Sequence, residues 1–96
     1  MRVLILRADL HLPVAQSLKQ KRSLVTPMVR HIDRLTGTGA AEIDFQDKWQ
    51  RTALGVSVVG ESVTQLEQTM DEVERYVWAR ADIEVLEMSR SWWEED

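Results

Sequence analysis

The sequence predicts one α+β domain in which four antiparallel strands form a sheet and two helices cover one face of it. Three observations support this prediction. Apolar and polar residues alternate in four segments, apolar residues recur at helical spacing in two others, and these segments follow one another in the order βαββαβ. This order is the split βαβ arrangement of a ferredoxin-like two-layer sandwich. Because crossover connections are right-handed, we expect the strand order 4-1-3-2.

The first predicted strand covers positions 3–12. Its even-numbered positions are apolar, whereas its odd-numbered positions include Arg7, Asp9 and His11. Such alternation is typical of a strand with one buried face. Pro13 ends the strand because proline cannot donate a backbone hydrogen bond to a neighbouring strand.

The first predicted helix follows Ser17, which forms a capping box with Gln20. Apolar residues then recur at intervals of three, four and seven as far as Leu35, the pattern of a helix with one buried face. Pro27 interrupts this pattern, and a proline inside a helix costs about 3 kcal/mol. We therefore expect the helix to kink at Pro27 or to be divided, with the main segment starting near Ser23.

A hairpin is predicted after the first helix. Apolar and polar residues alternate over positions 41–46, with Phe45 on the apolar side. Asp47 and Lys48 form the predicted turn, and the third strand covers positions 49–59. This parity places Phe45 in the core and turns the acidic residues of the second strand toward the open face of the sheet.

The last third of the chain completes the pattern. Ser62 begins the second helix with another capping box, and positions 83–88 indicate the fourth strand. An acidic tail with two tryptophans, residues 91–96, follows this strand. No linker or low-complexity segment divides the sequence, so residues 1–96 are predicted to form a single domain.

The open face of the sheet is left for solvent or for a partner. The candidate functional side chains predicted there are His11, Glu42, Asp44, Trp49 and Arg51. Cross-strand salt bridges, with Arg51 between the acidic residues, explain this charge better than a metal or acid–base site, which needs ligands that converge. The sequence therefore predicts no catalytic residue, no metal site, no cofactor and no enzymatic activity.

RNA-recognition domains share this topology and stack bases on aromatic residues of the two central strands. Here those strands offer only Trp49, at the start of the third strand. The sequence therefore disfavours base stacking on the sheet face.

Charge is distributed unevenly between the two predicted helices. The first carries Lys19, Lys21 and Arg22 near its start, whereas the second is acidic. A helix N-terminus favours anions through its free N–H groups and its macrodipole, and nearby cations strengthen that preference. These three residues are therefore candidates for binding RNA phosphates. The alternative is a solvated basic patch, or one that pairs with the acidic helix of another copy.

Trp92 and Trp93 lie beside three terminal acidic residues and are difficult to place in a small core. Aromatic residues are enriched at protein interfaces, so self-association is the favoured interpretation. The alternative is that the pair folds back over a sheet edge or over the open face.

Composition restricts the remaining function classes. The formal net charge of −4 argues against indiscriminate nucleic-acid binding, which needs a basic surface. The absence of cysteine favours a reducing cytoplasm over a secreted location. The apolar run near the N-terminus is interrupted by Arg7 and Asp9, too early for a membrane span.

Two segments carry a resemblance to a known family. The first contains His11-Leu12-Pro13 and Ser17-Leu18-Lys19-Gln20-Lys21-Arg22, and the second runs from Ala41 to Arg51 and on to Leu54-Gly55. Together they resemble the YlxP-like family of small bacterial proteins of unknown function. The resemblance implies a ferredoxin-like fold and no established activity, catalytic residue or cofactor. Family genes often lie near those for translation initiation and ribosome maturation factors, which implies a link to RNA or ribosomes.

The positions that match the family motifs are candidate functional residues. They are His11, Lys19, Lys21, Arg22, Glu42, Asp44, Asp47, Trp49, Gln50 and Arg51. The family commonly has histidine where this chain has Phe45.

The leading hypothesis is a non-enzymatic accessory domain that binds structured RNA or a ribosomal particle through Lys19, Lys21 and Arg22. The alternative is a protein-interaction or homodimer module that uses the open sheet face, Trp92 and Trp93. A third class, a small-molecule sensor or enzyme that uses Asp9, His11 and Asp44, is the least favoured.

Overall fold

The computed structural model describes residues 1–95 and contains four strands and two helices. The elements are β1 (Arg2–His11), α1 (Leu18–Asp33), β2 (Thr38–Asp44), β3 (Arg51–Gly60), α2 (Val63–Trp78) and β4 (Glu84–Glu94). All strands pair antiparallel, in the order β2-β3-β1-β4. This is the predicted order 4-1-3-2 read from the opposite edge, so the ferredoxin-like fold is confirmed.

The core lies between the two helices and the central strands β1 and β3. The even-numbered residues of both strands face the helices, and in the β1–β3 register Leu6 lies opposite Val56 and Ala8 lies opposite Leu54. All four side chains are buried. Alternation along β1 therefore determines which face of the sheet the helices cover.

Helix α1 is continuous through Pro27, so the divided form of the prediction is wrong. The Ser17 hydroxyl accepts a hydrogen bond from the Gln20 backbone N–H at 3.1 Å, as the capping box predicts. Pro27 removes the hydrogen bond that would reach the carbonyl of Ser23. Because Ser23 and Pro27 are both exposed, the lost hydrogen bond falls on the solvent side of the helix.

Helix α2 begins at the predicted cap, where the Ser62 hydroxyl accepts from the Gln65 backbone N–H at 3.3 Å. Its predicted apolar stripe is buried against the sheet. The imidazole of His31 on α1 stacks on the phenol ring of Tyr76 on α2, with 3.9 Å between ring centroids. This contact joins the two helices along their facing sides. Neither helix among residues 1–95 combines the length and apolar character that a bilayer crossing demands.

The faces of β2 differ from the prediction. Glu42 lies opposite the buried Leu54 and faces α1, whereas Ala41 lies opposite Gly55 on the open face. A register shift between Glu42 and Asp44 then returns Asp44 to the open face. The prediction was therefore right for Asp44 and wrong for Glu42, because a bulge breaks the simple alternation.

Strand β4 extends well beyond the predicted end at position 88. Trp92 lies opposite Leu4 and Trp93 lies opposite Val3, so both tryptophans belong to the sheet. The predicted tail of residues 91–96 is therefore a strand as far as Glu94, while Asp96 lies outside the described residues. Pairing with the long central strand β1 extends β4 in spite of its polar sequence.

Gly37 occupies the turn that leads from α1 into β2. Its φ of 72° is in the left-handed region, and a Cβ placed there would lie 2.9 Å from the carbonyl oxygen of Val59. We expect Gly37→Ala to lower the free energy of unfolding by at least about 1–2 kcal/mol, the cost of left-handed backbone for an L-residue. Urea denaturation followed by circular dichroism measures this loss.

Gly39→Ala is the matched control. Gly39 has no positive φ, and a Cβ added to it would lie 3.4 Å from its nearest neighbour, the Ser57 hydroxyl oxygen. The free energy of unfolding is expected to change by less than about 0.5 kcal/mol. Equal losses for the two variants would show that backbone conformation at Gly37 is not the constraint.

Candidate functional site

Seven of the twelve lysine and arginine side chains make no ion pair with any residue in the described range 1–95, and most of them cluster on one element. The paired cations are Arg2, Arg7, Lys21, Arg80 and Arg90. The others are Lys19, Arg22, Arg30, Arg34, Lys48, Arg75 and Arg51, the last of which lies over an aromatic ring. Four of these lie on α1 or on its C-cap residue. We call Lys19, Arg22, Arg30 and Arg34 the basic side of α1.

A groove of about 390 Å³ lies between α1 and β2. Arg22 and Arg30 line it from the helix, eight residues apart on the flank that faces β2. The apolar part of its wall includes Leu18, Val29 and Ala40. The groove therefore combines two guanidinium groups with an apolar wall beside the edge of the sheet.

Lys21 is buried, with only 2% of its surface exposed, so the prediction that it contacts RNA phosphates is wrong. Its ammonium lies 2.8 Å from Glu42 Oε2 and donates to the Phe45 carbonyl oxygen at 2.5 Å. The Thr52 hydroxyl donates to the same Glu42 oxygen at 2.6 Å. Position 21 shares the buried face of α1 with Val25, and this spacing explains the correction.

Lys19 and Arg22 are exposed, as predicted for residues that contact a phosphate backbone. Arg30, which the sequence analysis did not select, lies in the same groove as Arg22. The signal that could have found it is the spacing of eight residues, which leaves two positions about 80° apart and so on one broad flank of a helix. With Arg34 included, the observed basic side of α1 extends about three turns beyond Arg22, the last residue of the predicted cluster.

The open face holds a cluster of three charged side chains joined by ion pairs. The Arg7 guanidinium donates to Asp9 Oδ2 at 3.0 Å and to Asp44 Oδ2 at 3.2 Å. Hydrogen bonds from the Phe45 backbone N–H and then from Arg7 hold the pKa of Asp44 below its ordinary value. Hydrogen bonds to Asp9 and then to Asp44 raise the pKa of Arg7. The predicted cross-strand salt bridge therefore exists, but Arg7 makes it in place of Arg51.

Arg51 instead places its guanidinium over the ring of Phe45, 4.4 Å from the centroid. Phe45 was predicted to lie in the core. The structure shows that it is only partly buried and has a φ of 62°, so it belongs to the turn after β2 and the prediction was wrong. His11 Nδ1 lies 3.5 Å from Glu84 Oε2 at the far end of the open face. Residues 1–95 bring no three histidine or carboxylate side chains together in an arrangement that could hold a metal ion.

The residues between β2 and β3 form an exposed turn. Trp49 was predicted to begin the third strand, but β3 begins at Arg51, and Trp49 lies in the turn with 53% of its surface exposed. Asp47 is exposed in the same turn. Gln50 lies at the end of the turn, and its side-chain amide donates to the carbonyl oxygens of Pro13 and Ala15 at 3.2 and 3.1 Å.

The two C-terminal tryptophans lie on different faces of the sheet. Trp93 shares the open face with Val3, whereas Trp92 shares the helix-facing side with Leu4. Their exposed fractions are 48% and 41%. The predicted interface pair is therefore separated, and only Trp93 adds to the open face.

The buried Lys21–Glu42 pair predicts a sharp stability effect. Lys21→Met keeps the apolar stem but leaves the Glu42 carboxylate without its cation, which costs roughly 3–5 kcal/mol at a fully buried pair. Because the Glu42 side chain is 23% exposed, we expect the lower part of that range or slightly less, about 2–3 kcal/mol. Chemical denaturation at neutral pH measures the loss.

Lys19→Met removes the same charge from the same helix at an exposed position and serves as the control, with an expected change within about 0.5 kcal/mol. The double variant Lys21→Met with Glu42→Leu should recover stability, since it removes both buried charges. If the Lys21→Met protein were as stable as the Lys19→Met protein, the Lys21–Glu42 pair would not be the stabilising contact that we describe.

Comparison with known proteins identifies a family for this chain. The model of the family described as "Protein of unknown function (DUF503)" matches residues 3–90. The chain is also similar to the uncharacterized protein YlxP of Bacillus subtilis (strain 168), with 31% identity over 70 residues, which is 73% of this chain and 76% of that protein. The resemblance expected from the two sequence motifs is confirmed. The protein therefore belongs to the YlxP-like DUF503 family, whose function is unknown.

Proposed function

We propose that this protein is a non-enzymatic accessory domain that binds the phosphate backbone of structured RNA, free or within a ribosomal particle. The observation that carries the proposal is the basic side of α1, where cations without an ion pair in residues 1–95 concentrate on one helix. Elsewhere on the surface, arginines such as Arg7 and Arg90 are neutralised by carboxylates. Polyanions bind where positive charge is left uncompensated.

The placement of the two groove arginines supports a backbone contact. Arg22 and Arg30 are separated by eight residues, or roughly 12 Å along the helix axis. Two guanidinium groups at that distance contact different phosphates of one strand. Guanidinium also binds phosphate through paired N–H donors, which gives Arg an advantage over Lys at such positions.

The groove beside α1 is lined by none of the acidic residues of α2. Two of its carboxylates, Asp71 and Glu74, pair with Arg90 of β4 on the far side of α2 from α1. The helices instead meet through His31 and Tyr76. RNA that approaches the basic side of α1 therefore meets it from the flank away from the acidic helix.

The proposal predicts that removing either groove arginine weakens binding to structured RNA. Arg22→Gln and Arg30→Gln should each lower affinity at low salt by about fivefold and reduce the slope of log affinity against log salt by about 1, because each loses one phosphate contact. Fluorescence anisotropy with a labelled ribosomal RNA fragment at several salt concentrations measures both quantities.

Arg75→Gln is the control, because Arg75 is also exposed and has no ion pair in the described chain but lies on α2. This variant should bind with an affinity within about twofold of the original protein. Its slope of log affinity against log salt should differ by less than about 0.3. A salt slope that is the same for all three variants, or no binding by the original protein at low salt, would refute the proposed function.

A second candidate function, self-association, is favoured by an apolar patch on the open face. Val3, Ile5 and Ile43 border a shallow depression of about 460 Å³ on this face. Ile43 covers Gly55, and its Cγ2 lies 2.8 Å from where a Cβ of Gly55 would be. Trp93 extends the patch beside Val3. Exposed apolar patches of this kind favour protein–protein contact.

The occupant that fits this patch is a second copy of the chain. The charges that border it, Arg7, Asp9 and Asp44, are joined in ion pairs within one chain. Two identical patches can therefore meet about a two-fold axis, the commonest symmetry of a homodimer.

Sedimentation equilibrium tests this candidate. We expect a dimer that Ile43→Lys weakens by at least about tenfold, since it places a charge within the patch. Leu86→Lys is the control, because Leu86 is similarly exposed but does not line the depression. A protein that stays monomeric at high concentration, or equal effects of the two substitutions, would remove homodimerisation.

A further inference from the structure

An exposed tryptophan lies near the end of the turn between β2 and β3. Trp49 lines a recess of about 360 Å³ together with Asp47, Lys48, Gln50 and Arg51. This volume is at the small end of the range for ligand pockets, about 300–1,000 Å³. The recess combines an aromatic face with the side chain of Lys48, which has no ion pair in residues 1–95.

The first end of this turn is fixed by contacts of Phe45. Its carbonyl oxygen accepts hydrogen bonds from the Lys48 backbone N–H at 3.0 Å and from the buried ammonium of Lys21 at 2.5 Å. Its ring lies under the guanidinium of Arg51. The turn therefore starts from a residue that is held by both backbone and side-chain contacts.

The second end is fixed by Gln50. Its backbone carbonyl accepts from the Leu12 N–H at 2.9 Å, and its side chain donates to two carbonyl groups of the β1–α1 loop. With both ends held, the indole of Trp49 is presented to solvent by a rigid segment. A preorganised aromatic residue binds with less loss of conformational entropy than a mobile one.

The turn continues directly from the groove beside the basic side of α1. Gln46 lines that groove and the next residue, Asp47, lines the recess at Trp49. A nucleic-acid strand that follows Arg30 and Arg22 along the groove thus reaches Trp49. At that point Lys48 can contact a phosphate, and the Asp47 carboxylate can accept hydrogen bonds from a base amino group or a ribose 2′-hydroxyl.

We infer that Trp49 is a stacking site for an unpaired RNA base, held by the β2–β3 turn next to the phosphate-binding groove. This inference rests on the proposed function and specifies its partner as RNA with an unpaired loop or bulge beside a helical stem. Aromatic side chains bind unpaired bases by stacking, whereas bases inside a duplex are not accessible to them. Trp49 therefore supplies the preference for unpaired RNA, and α1 supplies the electrostatic attraction.

The test compares two RNA probes that share one stem sequence, a hairpin with an adenosine-rich loop and a blunt duplex. Trp49→Leu should lower affinity for the hairpin about tenfold, the loss expected for one stacked base, and change affinity for the duplex by less than about twofold. Trp78→Leu is the control, because Trp78 is also strongly exposed but lies on α2. Trp49→Phe should keep most of the hairpin affinity, since it retains an aromatic ring.

A spectroscopic measurement gives an answer that does not depend on the Trp49→Leu protein. In a protein with Trp78→Phe, Trp92→Phe and Trp93→Phe, Trp49 is the remaining indole. Its emission should be quenched by the hairpin and unchanged by the duplex.

The outcomes separate this inference from the proposed function. Hairpin binding that responds to Arg22→Gln but is the same for Trp49→Leu and Trp78→Leu would overturn the stacking site and leave the phosphate contacts of α1 standing. Unquenched Trp49 emission with the hairpin bound would also overturn it. Failure of the original protein to bind either probe at low salt would overturn both.

Discussion

The buried ammonium of Lys21 is the contact on which the candidate site depends. It joins three parts of the chain, since Lys21 belongs to α1, its ionic partner Glu42 belongs to β2, and its second acceptor is the Phe45 carbonyl at the start of the β2–β3 turn. A buried lysine is tolerated only where such partners replace its hydration. Lys21 therefore sets the distance between helix and edge strand that creates the groove, and it fixes the turn that presents Trp49.

The same contact explains why charges at neighbouring helix positions have different roles. Lys21 points into the core and pairs with Glu42, whereas Arg22 lies one residue further around the helix and keeps its charge in solvent. On the open face, Arg7 is likewise neutralised by Asp9 and Asp44. Charges with close partners contribute to the fold, and the field that reaches a ligand comes from those without them.

The sequence predicts the central strands and both helix starts, because alternation in β1 and β3 and the serine caps are strong local signals. It fails at the sheet edges. In β2, Ile43 is the single large apolar residue and the others are small or polar, so the bulge before Asp44 cannot be read from hydrophobicity. In β4, backbone pairing with β1 continues through Ser91 and Trp92, where no apolar alternation marks a strand. At the candidate site, the spacing of four residues between Lys21 and Val25 would have placed Lys21 on the buried face of α1. The turn at Trp49 could not be predicted in this way, because it is held by hydrogen bonds between residues far apart in the sequence.

A net charge of −4 is compatible with phosphate binding because attraction is decided locally. At physiological ionic strength, charges separated by more than about 8 Å in solvent are largely screened from one another. The carboxylates Asp71 and Glu74 both pair with Arg90, and the stacked rings of His31 and Tyr76 lie between α2 and α1. A phosphate at Arg22 therefore responds chiefly to the cations of α1. Under the proposed function, RNA whose shape reaches both the groove and the adjoining turn gains the contacts that binding needs.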